Sequence, residues 1–289
     1  MKIRGEEMKE RKLFCEYGPI CYEISLFKEA RKKDFKDWRD GRKFAKKKNK
    51  ENLDYIWKSD TKVLLRKLPG VDMKLQENKV VNLQLACNKI DGIIVNPGEE
   101  FSFYNTVGTT TKRKGYLEGL VISNGKMRTG IGGGLCQMAN MIHWLVLHTP
   151  LEVTEKHHHS DALFPDVNRR VPFGTGTSIC YKALDYRFKN TTKYPVQIRV
   201  WLDDTMLNGE IRSTVPLKQK YKISEEDNHY ARNQRGEFYR YSKVYRTIID
   251  KETKQEIKKE LILNNESKVM YNYELIPENE IRENENVIG

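Results

Sequence analysis

Apolar positions recur at helical spacing in two segments of the chain. The first segment ends at Gly92, a typical helix stop, and its stripe consists of Val80, Leu83, Cys87 and Ile90. The second covers residues 138–148 and ends before Pro150, with an apolar face made of Leu135, Met138, Ile142, Leu145 and Val146. Because Cys87 lies within the first stripe, we interpret it as a core residue rather than a catalytic one.

Short apolar or alternating runs predict strands between and after these helices. They cover residues 93–95, 101–103, 120–122, 151–157, 177–181, 185–189 and 196–202. Farther along, residues 238–249 and 256–263 alternate on either side of a turn, which predicts a long charged hairpin. The chain is therefore predicted to be an α+β fold. In this fold an antiparallel sheet packs on the central helix, which begins at a glycine-rich loop, residues 129–137.

The pattern divides the chain into three predicted parts. Residues 1–75 form a basic, helical N-terminal extension, residues 76–215 a central domain, and residues 216–289 a β-hairpin region whose end, from residue 272, is a frayed tail. Within the extension, Phe35, Trp38, Arg42 and Ala45 lie at helical spacing in a densely basic run and predict an amphipathic helix. We favour a solvated helix there; the alternative is docking to an anionic membrane surface.

Charge narrows the choice of partners. The 289 residues include 52 Lys and Arg and 40 Asp and Glu, and the net charge of +12 favours an anionic partner, such as a phospholipid, nucleic acid or phosphorylated precursor. The N-terminus lacks the apolar core of a signal peptide, and no run reaches 18 apolar residues, so we expect a cytoplasmic protein, with peripheral membrane contact as the alternative. The five cysteines have neither metal-type nor disulfide-framework spacing.

The candidate chemistry centres on Gly130-Ile-Gly-Gly-Gly-Leu-Cys-Gln137, where a glycine loop runs into the predicted helix. A helix N-terminus offers unpaired N–H groups and positive potential, which lower the pKa of a thiol and stabilise an oxyanion. Cys136 is therefore a candidate nucleophile. Asn140, one turn later, reaches the same neighbourhood. A buried structural cysteine after a glycine turn is the alternative, and these residues alone support both equally.

A thiol nucleophile needs a base. His143 shares a helix face with Cys136 but lies ~10 Å farther along the axis, so we interpret it as a packing residue. Alternation along the strand before the three histidines of residues 157–159 places His157 and His159 on one face and His158 on the other. The carboxylates available to orient an imidazole are Asp161, Glu155 and Asp185.

A metal site is the competing interpretation of the same side chains. Cys136, His157 and His159 are reasonable Zn²⁺ ligands, but no clear fourth ligand appears, so we expect neither a metal nor another cofactor. The glycine run lacks the Gly-Lys-Ser/Thr of a phosphate loop and does not fit the dinucleotide fingerprint.

Several motifs, in order and spacing, resemble the VanW family over about residues 78–200. They are Asn96-Pro-Gly-Glu-Glu-Phe-Ser-Phe103, Val107-Gly108, Lys114-Gly-Tyr116, residues 130–137, Glu155-Lys-His-His-His-Ser160 and Asp185-Tyr-Arg-Phe-Lys-Asn190. The resemblance implies a link to glycopeptide (vancomycin) resistance and to peptidoglycan. Some cell-wall relatives are implicated as L,D-transpeptidases that form 3→3 cross-links through the motif cysteine, which matches Cys136. The family's histidine motif ends at the position of His159, which makes His159 the preferred base.

Two features depart from the family pattern. Family members often carry an Asp in a Gly-x-Asp-Ala-Thr stretch, where this chain has Gly174-Thr-Gly-Thr-Ser178, and the usual membrane anchor and companion domains are not seen.

The resulting hypothesis is acyl transfer on a peptidoglycan stem peptide by Cys136 and His159. N–H groups around Gly133, Gly134 and Gln137 would stabilise the oxyanion, a contribution of ~3–4 kcal/mol where one donor has been removed. Further candidate contacts are Gly132, Asn140, His157, Ser160 and Arg187. A phosphorylated or lipid-linked precursor suits the positive charge, and no nucleic acid is expected. The alternatives are a non-catalytic protein that recognises cell-wall precursors and an accessory scaffold of a resistance cluster.

Overall fold

The computed structural model describes residues 17–65, 72–123, 126–158, 161–163, 165, 171–181 and 183–282. Its chain forms two compact units, Met1–Arg42 and Lys43–Gly289.

The described part of the first unit consists of one long helix, α1 (Pro19–Arg39). Pro19 stands at its first position, where the missing N–H costs nothing, and Gly41, with φ +64°, turns the chain after its end. The helix predicted around Phe35 and Trp38 is confirmed, but it begins earlier than the basic run and ends before Ala45. No helix in the described ranges has the length and apolar character needed to cross a bilayer.

The elements of the second unit follow in chain order. They are β1 (Tyr55–Val63), α2 (Met73–Ile90), β2 (Ile93–Val95), β3 (Glu100–Ser102), α3 (Phe103–Val107), β4 (Glu118–Ser123), β5 (Lys126–Ile131), α4 (Cys136–Leu147), β6 (Glu152–Glu155), β7 (Asp161–Ala162), β8 (Arg187–Lys189), β9 (Val196–Leu202), β10 (Met206–Ser213), β11 (Gln219–Arg232), β12 (Phe238–Asp250) and β13 (Glu256–Val269).

The central sheet is antiparallel, in the order β1-β10-β9-β2, and the two main helices pack on it. Helix α4 lies so close to β10 that a Cβ built on Gly209 would come 3.0 Å from Leu145 Cδ1 and 3.1 Å from Met141 Cγ. The apolar face predicted for α4 is buried, as are Leu83, Cys87 and Ile90 of α2. The prediction of an α+β fold is confirmed.

Strand β1 corrects the prediction that the helical extension reaches residue 75. It pairs with β10 over eight aligned positions and forms one edge of the central sheet. Its sequence, Tyr-Ile-Trp-Lys-Ser-Asp-Thr-Lys-Val, has no clear period of two, because only Trp57 is buried within it.

Two smaller pairings complete the region around α4. One is the sheet β3-β8-β6, in which Phe101 stacks on Phe188 with ring centroids 5.2 Å apart, and the other is the β4-β5 hairpin. The segment 177–181, predicted as a strand, forms only an isolated bridge between Cys180 and Leu184.

The C-terminal region is a sheet in the order β11-β12-β13-β7, with a parallel β13-β7 pairing at one edge. The predicted hairpin corresponds to β12 and β13, and the charged strand β11 adds to it. The tail predicted to fray from residue 272 is instead packed as far as residue 282. Ile276 is 4% exposed, and the Arg282 N–H donates to the Tyr230 carbonyl at 2.8 Å.

Candidate active site

The glycine loop before α4 is shaped by the protein's own backbone. A Cβ on Gly133 would lie 2.2 Å from the carbonyl carbon of Gly119 in β4, so the backbone of the loop is in direct contact with the backbone of β4. Asn82, fully buried in α2, donates through Nδ2 to the carbonyls of Gly133 (2.9 Å) and Leu117 (3.0 Å). Close approach of this chain, rather than of a ligand, accounts for glycine at position 133.

The flanking glycines have a related cause. Gly132 and Gly134 have φ of +78° and +91°, a region that side-chain-bearing residues rarely adopt. A Cβ on Gly134 would also come 2.2 Å from Cγ of Lys79, whose buried ammonium donates to the carbonyl of Leu64 at 2.5 Å. Helix α2 thus holds the loop from one side.

The N–H groups that the loop leaves without an acceptor among the described residues differ from the predicted set of Gly133, Gly134 and Gln137. Gly133 donates to Gly130 O at 3.1 Å, and Gln137 donates to Gly134 O at 3.1 Å, so neither amide is directed to an oxyanion. Within the described residues, the N–H groups of Gly134 and Leu135 have no acceptor. Two adjacent donors therefore immediately precede Cys136 at the positive end of α4.

Cys136 is the first residue of α4, and its thiol is partly buried. Its sulfur lies 4.0 Å from the carbonyl oxygen of Ile179. Burial raises the pKa of the thiol, and the backbone groups of Ile179 and of Cys136 itself oppose that shift only in part. The resting group is therefore a neutral thiol at pH 7, which needs a base to become a nucleophile.

Two side chains near Cys136 were missed in the sequence. Burial raises the pKa of the Tyr104 phenol well above its usual range, and the neighbouring Cys136, Cys180 and Asp185 raise it further. Tyr104 in α3 also meets the ring of Tyr181 edge-on at 5.3 Å. Tyr104 directly follows the 96–103 motif, which is the signal that could have found it. Cys180 is exposed and offers a second thiol beside the first.

A segment that we call the strap, residues 171–181, connects Cys136 with the histidine motif. Thr177 N donates to Asn140 Oδ1 at 2.6 Å, and Ser178 N donates to the His157 carbonyl at 2.5 Å. Asn140, expected to contact substrate, is thus used in part to hold the strap on α4. The next residue of the strap, Ile179, contacts the thiol of Cys136.

A carboxylate orients one of the candidate imidazoles. His157 Nε2 lies 2.9 Å from Glu155 Oε1, so with Nε2 protonated the other ring nitrogen, Nδ1, is left to accept a proton. Of the three carboxylates considered, Glu155 has this role towards His157. His159, the preferred base, and Ser160 lie outside the described residues.

Arg187, a candidate substrate contact, is engaged inside the protein. It is 4% exposed, its Nε lies 2.8 Å from Asp185 Oδ2 and 3.2 Å from Glu155 Oε2, and its guanidinium stacks on Phe44. Ser102 Oγ donates to the same Asp185 oxygen at 2.5 Å. The arginine therefore fixes Glu155, and through it the ring of His157.

His143 is a packing residue, as its distance along the helix predicted. It is buried, its Nδ1 lies 3.2 Å from the Tyr186 hydroxyl, and burial lowers its pKa well below the usual value. The ring lines a cavity of about 450 Å³ between α4, β6 and the β12-β13 hairpin. Lys156, also in the wall, has a pKa lowered by burial and no partner in the described part of the chain.

Thr175 of the strap also lines this cavity, so one segment runs from the cavity to the thiol. Among the described residues, no three His, Cys, Asp or Glu side chains form a group that could hold a metal ion.

Comparison with known proteins places these features in a family. A profile of the family described as VanW like protein matches residues 78–212. The chain is 34% identical over 232 residues to the vancomycin B-type resistance protein VanW of Enterococcus faecalis (strain ATCC 700802 / V583), covering 80% of this chain and 84% of that protein. The chain belongs to the VanW family. The resemblance seen in the motifs is thereby confirmed.

A second relative is similar over a shorter part of the chain. The uncharacterized protein YoaR of Bacillus subtilis (strain 168) is 31% identical over 118 residues, covering 41% of this chain and 37% of YoaR. No solved structure matches the chain. The profile match includes the glycine loop, Cys136, the strap and the Glu155–His157 pair, whereas α1 and the strands β11 to β13 lie outside it.

Proposed function

We propose that this VanW-family protein is a cysteine acyl transferase of the L,D-transpeptidase type that acts on peptidoglycan stem peptides. The observation that carries the proposal is the position of Cys136 at the start of α4, directly after two N–H groups that have no acceptor among the described residues. The E. faecalis relative is named for vancomycin resistance, and modification of cell-wall peptides is a chemistry suited to that setting.

The reaction begins with transfer of the Cys136 proton to an imidazole. The thiolate then attacks the carbonyl carbon of an L,D peptide bond, and the oxyanion that forms accepts hydrogen bonds from Gly134 and Leu135. Collapse expels the D-amino acid, whose amine takes the proton, and leaves a thioester on Cys136. An acceptor amine from a second stem peptide attacks the thioester, forms the cross-link and frees the thiol.

Two histidines, His157 and His159, are candidates for the base that deprotonates Cys136. Burial raises the pKa of Cys136, so the thiol does not ionise by itself at pH 7. Of the described residues, His157 has an orienting carboxylate and joins the strap that contacts the thiol. His159 matches the family motif. Replacing each by Gln and measuring acylation of Cys136 identifies the base, because only the loss of the base slows thiolate formation.

The decisive experiment uses a tetrapeptide stem and mass spectrometry of the intact protein. We expect an adduct equal to the tetrapeptide without its terminal D-residue on Cys136, or release of the corresponding tripeptide if water resolves the thioester. Cys136→Ala abolishes both products. Cys180→Ser is the matched control, since it removes the exposed neighbouring thiol and leaves the reaction intact.

The proposal fails if wild-type protein yields neither product, or if Cys136→Ala retains the activity. The remaining candidate is then a non-catalytic protein that recognises cell-wall precursors. The cavity beside His143 favours that alternative, because its volume of about 450 Å³ suits a small ligand and the Lys156 ammonium is unpaired in the described region. Unchanged binding of the tetrapeptide by Cys136→Ala, measured by calorimetry, would support it.

A further inference from the structure

Helix α1 exposes an apolar stripe that Arg31 interrupts near its middle. Its members recur at spacings of four, three, eight and three residues, so at 100° per residue they lie within an arc of ~80°. They are Ile20 (77% exposed), Ile24 (51%), Phe27 (55%), Phe35 (60%) and Trp38 (75%). Single exposed apolar residues are ordinary, but five of them on one side of the same helix are typical of an interaction surface.

Cations lie beside this stripe. Lys28, Lys32 and Arg39 follow its edge at the same helical spacing, and Arg31 lies within it. Residues 28–50 together contain twelve Lys and Arg and four Asp and Glu. Ion pairs such as Lys32–Glu29 occupy some of these side chains, but Lys28, at the edge of the stripe, has no partner in the part of the chain that the structure describes.

We propose that α1 docks in the plane of an anionic lipid bilayer, with the apolar stripe in the headgroup region and the cations against lipid phosphates. Docking on a bilayer requires both the apolar stripe and the cations beside it. Nucleic acid would use the cations and leave a row of Ile, Phe and Trp in water, whereas an anionic bilayer accommodates both. The helix spans ~32 Å, long enough to lie along the surface over several lipids.

Charge complementarity is the reason for choosing lipid over a second copy of the chain. Pairing two stripes would bring the flanking lysines of both helices together, and their like charges repel. The proposal that α1 docks on a bilayer is independent of the acyl-transfer proposal, because none of the stripe residues belongs to the Cys136 site.

The test is co-sedimentation of the full chain with lipid vesicles at 0.1 M salt. We expect binding to vesicles of phosphatidylcholine with 30% phosphatidylglycerol and little binding to phosphatidylcholine alone. The double variant Phe27→Gln/Trp38→Gln should lose at least tenfold in partitioning. Trp201→Gln, which removes an exposed Trp from β9, is its control and should bind like wild type.

Charge reversal provides the second arm. Lys28→Glu/Lys32→Glu, which changes two cations at the edge of the stripe, should weaken binding by about 30-fold or more, since each basic residue at the surface contributes ~1 kcal/mol. The matched control, Lys220→Glu/Lys222→Glu, makes the same change on exposed positions of β11 and should have a smaller effect. Circular dichroism must report intact helix in all variants.

Three results would overturn the proposal. The first is equal partitioning of the wild-type protein to neutral and anionic vesicles. The second is an equal loss of vesicle binding in the two charge-reversal double variants. The third is a dimer in sedimentation equilibrium that Phe27→Gln/Trp38→Gln dissolves, which would assign the stripe to self-association.

Discussion

At the scale of single residues, the glycines of the 130–134 motif have separate tasks. Gly133 contacts the backbone of Gly119, whereas Gly130 faces only the Val121 side chain, 3.5 Å from a Cβ built there. The loop whose N–H groups were predicted to stabilise an oxyanion is therefore packed against β4 on one side. The distinction matters because the loop also sets where Gly134 and Leu135 direct their N–H groups.

Gly133→Ala should destabilise the fold strongly. The added methyl would meet backbone atoms at 2.2 Å, and backbone moves less readily than a side chain, so we expect a loss of about 3 kcal/mol or more in the free energy of unfolding. Gly130→Ala is the control and should cost less than about 1 kcal/mol. Urea denaturation measures both. Equal costs would mean that the loop moves to accept a side chain at position 133.

The candidate site itself was only partly predictable from residue types. The sequence placed Cys136 at a helix N-terminus, which the structure confirms, because glycine runs and helical periods are local signals. It did not predict which amides remain unpaired, since that depends on the turn that Gly133 and Gln137 close. Nor did it predict that Arg187 is buried against Asp185 and Glu155, which is a consequence of tertiary packing.

At the scale of elements, α4 and the residue that caps its C-terminus include two histidines, His143 and His148, that the fold keeps neutral. His148 ends the helix with its Nδ1 2.8 Å from the carbonyl of Trp144, and burial lowers its pKa from 6.5 to about 4. Above pH 6.5 it is neutral in the folded and unfolded chain alike. Below that pH the unfolded chain binds the proton first, so stability falls until about pH 4.

His148→Asn should therefore reduce the acid sensitivity of the fold. The shift in pKa corresponds to a loss of up to about 3 kcal/mol between pH 7 and pH 4 in the wild type, and the variant should lose less. Asn can still occupy the helix end. Urea denaturation at pH 7.5 and pH 4.5 gives the comparison, and parallel losses in both proteins would exclude His148 as a source.

Elements with a clean period were predicted best. Helices α2 and α4 and strand β12 bury residues at regular intervals, so their patterns were visible without the structure. Strand β11 was missed because its run Lys-Ile-Ser-Glu-Glu-Asp-Asn has few apolar positions, and its pairing with β12 supplies what the pattern lacks. Residues 177–181 of the strap were predicted as a strand, but Asn140 and His157, rather than a neighbouring strand, accept the hydrogen bonds of Thr177 N and Ser178 N.

At the scale of the whole molecule, the last described residues complete the C-terminal sheet. Ile276 packs in a small apolar cluster with Tyr230, Phe238 and Val269, separate from the main core around α4. This second cluster lies under β11 to β13, where the family profile does not reach. The stability of that sheet therefore depends on a segment that composition alone marked as a tail.

Ile276→Ala tests this dependence directly. The cavity left by a buried Ile should cost the C-terminal sheet about 2–4 kcal/mol. Leu275→Ala is the matched control, because its neighbouring side chain is 56% exposed and should cost under about 0.5 kcal/mol. Hydrogen exchange of β11 to β13 is the measurement, since the four tryptophans at positions 38, 57, 144 and 201 lie outside this sheet and report other parts of the chain.

Faster exchange confined to β11 to β13 would show that the sheet opens by itself. Equal acceleration in α4 would show that the second unit unfolds as one body, and unchanged exchange in both would mean that the tail contributes nothing.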